Sequence, residues 1–243
     1  MIKQAFYTRL AQLIQTIEST QDSAVEEAAK AISDAIAAGG AVHIYDTGHM
    51  LDSELISRAG GLVAFKPLRV HFDVQDDVRS RPGDKDKVRC MEGLMGFALA
   101  KSNARPGDVL VVGSVSGKGV LPVDLAILAK ETGLKVIALT SVSYSSLLQS
   151  EHSSGKRLFE AADICIDNCA PPLDAMIEVP ELGLSICPAS GLSAAALMWA
   201  VTAQVVDNLL HLGVKPTVYK SINFPGSAEF NEAERRRYAE TGF

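Results

Sequence analysis

Apolar residues recur at helical spacing over the first forty positions. Phe6, Leu10, Leu13, Ile14 and Ile17 share one face, and Ala24, Ala28, Ile32, Ala35 and Ile36 share another that stops at Gly39-Gly40. This predicts two helices. The pattern then changes to short continuous apolar runs: Ala41-Val42-His43-Ile44-Tyr45, residues 108–113, 135–139 and 162–166. Runs of that length bounded by turn residues read as buried strands. Helical patterns intervene, over residues 51–59 and over 121–132, where Leu125, Ile127, Leu128 and Ala129 recur. Strands alternating with helices predict a parallel sheet covered on both faces, an α/β fold of three αβα layers. A last helix, residues 190–212, is apolar around much of its circumference. It is expected to pack on the sheet or in the interface of a homodimer or larger homo-oligomer.

Composition narrows the class. The 243 residues are 47% hydrophobic and 21% charged, as in an ordinary folded domain. A net charge of −6 gives no general attraction to nucleic acid or to an anionic membrane. The most apolar stretch, residues 192–206, contains Ser193, Thr202 and Gln204 and runs into Asp207, whereas a bilayer span needs about 20 apolar residues. The N-terminal segment has no signal-peptide pattern, so a cytoplasmic location is expected. Cys90, Cys165, Cys169 and Cys187 form no C-x-x-C pair, and neither a metal site nor a cofactor is expected. Residues 73–87 are charged and contain Pro82-Gly83, which suits either a solvated surface loop or a lid.

Three loops would reach the C-terminal edge of the sheet, where ligands bind in such folds. Gly113-Ser114-Val115-Ser116-Gly117-Lys118-Gly119 has glycines that admit a close ligand and hydroxyls that donate to an anion beside a helix N-terminus. It is not a P-loop, and it also suits a tight turn with Ser116 as helix cap. Thr140-Ser141, on the next strand, offers further donors to the same anion. Asp46-Thr47-Gly48-His49 brings a histidine that is either an acid/base group or a plain helix-entry residue. His43, inside a strand, reads as a hydrogen-bonded core histidine.

The segment DVLVVGSVSGKGVLPVDLAILAKETGLKVIALT, residues 108–140, resembles the core of SIS (sugar isomerase) domains. It has the strand, the S-x-S-G loop, the helix and the strand ending in Thr-Ser. Thr47-Gly48-His49 with Glu54-Leu55 and Arg58-Ala59-Gly60-Gly61, and the run Asn223-Phe224-Pro225-Gly226-Ser227-Ala228-Glu229-Phe230-Asn231, are similar to a branch related to phosphoheptose isomerase and N-acetylmuramic acid 6-phosphate etherase. The resemblance implies a Rossmann/flavodoxin-like SIS domain over residues 1–243, with a helical extension at about 1–38 and a tail at about 213–243. It implies that Ser114, Ser116, Gly117, Lys118, Thr140 and Ser141 hold a substrate phosphate and that Asp46, Thr47 and Gly48 face the sugar. Glu54 matches the base of phosphoheptose isomerase. Where that enzyme carries a histidine on its C-terminal helix, this chain reads Ala195-Ala196-Leu197-Met198-Trp199, so the dyad is complete only if His49 takes the place of the missing member.

The function implied is sugar-phosphate chemistry, an aldose–ketose isomerase or a related lyase, with Glu54 and His49 moving protons. The alternative is a sensor that holds the sugar phosphate without turnover. No basic or helix-turn-helix segment accompanies the domain, which counts against transcriptional regulation. A nucleotide-binding reading lacks G-x-G-x-x-G after the first strand.

Overall fold

The computed structural model describes residues 1–48, 50–75, 77–79 and 91–243. Two helices open the chain, α1 (Ile2–Thr20) and α2 (Asp22–Ala37), followed by β1 (Val42–Asp46), the single turn α3 (Asp52–Leu55) and β2 (Phe65–Pro67). Next come α4 (Leu94–Lys101), β3 (Val109–Gly113), α5 (Val120–Glu131) and β4 (Lys135–Thr140). The short helices α6 (Val142–Ser145) and α7 (Leu158–Ala161) precede β5 (Ile164–Asp167), and β6 (Ala175–Val179) and β7 (Leu184–Pro188) form a hairpin. The chain closes with α8 (Ser190–His211) and α9 (Ser227–Thr241).

The main sheet runs β2-β1-β3-β4-β5 with every pairing parallel. Alternation along its central strands explains the continuous apolar runs. Val109, Val111, Ile137 and Leu139 pack on one face with Ile32, Ile36, Leu197 and Val201 of α2 and α8. Leu110, Val112, Val136 and Ala138 pack on the other with Met95, Leu125, Ala126 and Leu158 of α4, α5 and α7. Both faces are therefore covered, and three αβα layers result, as the sequence predicts. α8 is long and apolar enough to cross a membrane by length and composition alone. Its Ala194, Leu197, Met198, Val201 and Val205 are buried in the core, while Leu192 and Leu210 stay exposed.

Three elements differ from the sequence expectation. The helix expected over residues 51–59 stops after one turn, because Ile56 is extended and Ser57 has a positive φ of 57°. The expected tail contains α9, which returns to the body: the Asn231 side chain accepts from the Lys220 N–H at 2.8 Å and donates to the Lys220 carbonyl at 2.9 Å. The hairpin β6–β7 is an addition that the sequence pattern does not announce. Of the charged stretch 73–87, Asp76 and residues 80–87 lie outside the described residues.

Candidate functional site

The strand order reverses at β1. From β1 the chain goes to β2 on one side and then to β3 on the other, and the crevice at such a switch point is where open α/β sheets bind ligands. A cavity of about 810 Å³ occupies that place. The loop after β1 supplies Asp46, Thr47 and Gly48, the loop after β3 supplies Ser114, Ser116 and Lys118, and Asp52, Arg69, His71 and Glu151 complete its polar lining.

Asp46 organises the first loop. Its carboxylate accepts from the backbone N–H of Leu51 at 2.7 Å and of Gly48 at 3.2 Å, an Asx-type arrangement that sets the entry to α3. Thr47 ties the loop to β3 by donating from both its N–H and its hydroxyl to the Gly113 carbonyl. Gly113 lets the loop pack closely: a Cβ would stand 2.8 Å from Leu51 Cδ1 and 3.3 Å from Asp46 Oδ1, so either side chain would have to shift. His49 lies outside the described residues.

In the second loop Ser114 and Ser116 line the cavity. Lys118 donates to Glu151 Oε1 at 2.5 Å, and that hydrogen bond, with the attached negative charge, raises its pKa and keeps it cationic. Ser116 is not the helix cap, since Gly119 holds that position and α5 starts at Val120. Gly117 does not line the cavity. Its φ of +56° and its crowding by Thr140 Oγ1 (3.0 Å), Leu158 Cβ (3.1 Å) and Ser145 Oγ (3.2 Å) favour glycine there.

The structure separates the remaining predicted residues from the cavity. Thr140 and Ser141 are fully buried. The Thr140 hydroxyl donates to the Val115 carbonyl at 3.0 Å, and that of Ser141 donates to the Ala170 carbonyl at 2.7 Å while capping α6. Glu54 sits on the far side of the α3 turn, where its Oε1 accepts from Trp199 Nε1 at 3.3 Å and from Arg58 at 3.5 Å. The acid that α3 turns into the cavity is Asp52, gripped by a two-pronged Arg69 fork at 2.9 and 2.8 Å. His43 is the core histidine its strand position suggests, with Nε2 3.0 Å from Asp108 Oδ2. Sequence reasoning missed Asp52, Arg69, His71 and Glu151. Arg69 and Glu151 reach partners 17 and 33 positions away, and no local spacing marks them. Among the described residues no three His, Cys, Asp or Glu side chains gather as a metal site.

Comparison with known proteins identifies the family. The SIS domain family model matches residues 5–141. A UPF0309 protein of Geobacillus kaustophilus is 32% identical over 242 residues, covering 99% of this chain and 95% of its own. A UPF0309 protein of Streptomyces griseus is 32% identical over 240 residues, covering 98% and 95%. Among solved structures, a phosphoheptose isomerase from Francisella tularensis aligns over 86% of this chain and 96% of its own with a TM-score of 0.49 at 15% identity. The family model spans more than half of the sequence and these relatives match almost all of it, so the chain belongs to the SIS domain family and to its UPF0309 branch.

Proposed function

We propose that the chain binds a phosphorylated sugar in the switch-point cavity. The observation that carries this reading is the pair of hydroxyls at Ser114 and Ser116, which have no protein partner among the described residues and belong to the cavity lining with cationic Lys118. Hydroxyls and an ammonium at one end suit a phosphate dianion. Asp52 and Arg69 elsewhere in the lining suit the alternating acceptors and donors of a sugar. Membership of the SIS family supports the same reading. The finer form of the proposal is an aldose–ketose isomerase or related lyase, in which Glu54 and His49 move the protons beside the carbonyl. The second form is a sensor that holds the sugar phosphate without turnover, favoured by the position of Glu54 outside the cavity lining.

A thermal-shift panel of sugar phosphates and amino-sugar phosphates tests the common part, since a ligand held only by the folded chain raises Tm. No shift with any of them at millimolar concentration would refute it. Each ligand found is then incubated in deuterium oxide; label at the carbon beside the carbonyl supports the enzyme, and its absence supports the sensor. We also propose a cytoplasmic homodimer joined through the outer face of α8, where Leu192 and Leu210 are exposed. Light scattering at micromolar concentration should return twice the 25.8 kDa chain mass, and a monomer would refute that assembly.

A further inference from the structure

A second cavity, of about 580 Å³, shares the wall of residues 67–71 with the first and is closed by the end of α4 and by Tyr238 of α9. Its described lining includes Lys66, Arg69, Lys101, Arg105, His43 and His71 and no carboxylate, although the chain as a whole carries −6. Two of these groups are already compensated. Arg69 grips Asp52, and His43 meets the buried Asp108, whose oxygens also accept the N–H groups of Ala41 and Arg105. Lys66, Lys101 and Arg105 have no carboxylate partner among the described residues. Lys66 instead places its Nζ 4.3 Å over the Tyr238 ring. Burial, with the nearby Arg235, lowers the pKa of this lysine.

Lys66 is half-buried, while Lys101 and Arg105 stand exposed at the rim, and an anion in the cavity would meet the charge of all three without displacing a carboxylate. Arginine adds a planar fork that matches phosphate oxygens, and lysine adds a mobile point charge. We propose that this cavity is a second ligand site, for a small molecule bearing a phosphate or pyrophosphate group held by Lys66, Lys101 and Arg105. The site is separate from the sugar-phosphate cavity and does not depend on that reading. Arg69 and His71 front both cavities, so charge bound in one is felt in the other.

Inorganic pyrophosphate and inorganic phosphate, titrated by calorimetry at low ionic strength, are the probes. In the Ser114→Ala/Ser116→Ala chain, which lacks the first cavity's phosphate donors, pyrophosphate should still bind, and adding Lys101→Ala/Arg105→Ala, two changes at exposed residues, should weaken it about tenfold or more. Lys66→Met should weaken it similarly, and thermal melts confirm that each variant is folded. Unchanged affinity in Lys101→Ala/Arg105→Ala would overturn the proposal. So would binding abolished by the serine changes alone, which would move the anion to the first cavity, or equal displacement by chloride at matched ionic strength. Failure of the sugar-phosphate reading gives a different result: no sugar phosphate raises Tm while pyrophosphate still binds.

Discussion

Two loops leave neighbouring strands at the same edge of the sheet, both built from small hydroxyl residues, and they use those hydroxyls in opposite ways. After β3, Ser114 and Ser116 line a cavity. After β4, Thr140 and Ser141 are 0% exposed and donate to the Val115 and Ala170 carbonyls. The difference comes from position in the sheet, not from composition. β3 adjoins β1 at the point where strand order reverses, so a crevice opens beside it. The end of β4 is covered by α6 and by the segment after β5: Asp167 Oδ1 accepts the Val142 N–H at 3.0 Å, and Ser143 as well as Ser141 reaches the Ala170 carbonyl. One loop is free to bind, and the other is the support on which it rests.

The two loops meet through Val115, whose carbonyl accepts from the Thr140 hydroxyl and the Ser141 N–H, and at Gly117, where close packing makes disturbance expected to have the largest effect. An alanine there takes a left-handed φ, costing about 1–3 kcal/mol, and its Cβ presses on Thr140 Oγ1 and Leu158 Cβ. Gly117→Ala should lower stability in urea by the upper part of that range and weaken sugar-phosphate binding at the same time. Native stability with native affinity would show that the loops are not mechanically joined.

The next test crosses the two loops. Ser116→Ala should weaken sugar-phosphate binding by about 1.5–3 kcal/mol, the worth of a hydrogen bond to a charged group, with little change in Tm. Ser141→Ala should do the reverse, lowering stability by about 0.5–2 kcal/mol, because α6 loses its side-chain cap at the Tyr144 N–H and the Ala170 carbonyl keeps only Ser143 as donor. Affinity would stay nearly unchanged. Calorimetry and melting on the same two proteins decide the matter. If Ser141→Ala loses affinity as Ser116→Ala does, the second loop also touches the ligand.

The closed side of the sheet also makes a pH-dependent prediction. Cys165 on β5 pairs with Ala138 of β4, and burial, with Asp167 nearby, pushes its thiol up to about 12 from an ordinary 9.0. Between those values the unfolded chain releases a proton that the folded chain keeps, so this group's contribution to stability is present below pH 9 and is lost as pH rises. Cys165→Ala should flatten the fall in Tm over that alkaline range. Cys165 is partly exposed, so at pH 8, with its thiol held protonated, a thiol reagent should label it more slowly in the folded than in the denatured chain, with mass spectrometry locating the label. Rapid native labelling would mean that this side is open.

Burial and exposure also govern which elements are legible in the residues alone. Strands β1, β3 and β4 are buried or mostly buried and β5 buries alternate residues, so their apolar residues announce them, and α8 declares itself by length. β2 is three residues, Phe65-Lys66-Pro67, and has no pattern to read. α9 buries only Ser227 and Asn231, so its helix carries no apolar stripe and reads as a tail. The loops after β1 and β3 are legible as candidate ligand loops because glycines and hydroxyls follow buried strands. The same signal at Thr140-Ser141 gives no indication that these hydroxyls turn inward, since this depends on the distant carbonyl of Ala170. Asp52 with Arg69, and Lys118 with Glu151, are assembled by tertiary folding alone.

The smallest expected effect belongs to Glu54, and it tests whether the cavity's contents extend beyond the two loops. Its carboxylate is held away from the cavity, with Oε1 shared between the Trp199 indole N–H and Arg58. Glu54→Gln keeps an acceptor oxygen for Trp199 and removes only a half-exposed ion pair, worth about 0–1 kcal/mol. Stability and sugar-phosphate affinity should both stay within that range. Glu54→Leu, which leaves the indole N–H without its partner, should cost about 1 kcal/mol more. Deuterium exchange beside the sugar carbonyl supplies the readout that a structural role would not move. If the wild-type chain exchanges and Glu54→Gln does not, while affinity is retained, Glu54 reaches the substrate as the base and the isomerase reading stands. If exchange survives the substitution, the base is another group, and Asp52, already turned into the cavity, is the first to replace. If neither chain exchanges with a ligand that raises Tm, the cavity binds without turnover and Glu54 serves only to anchor α3 against α8.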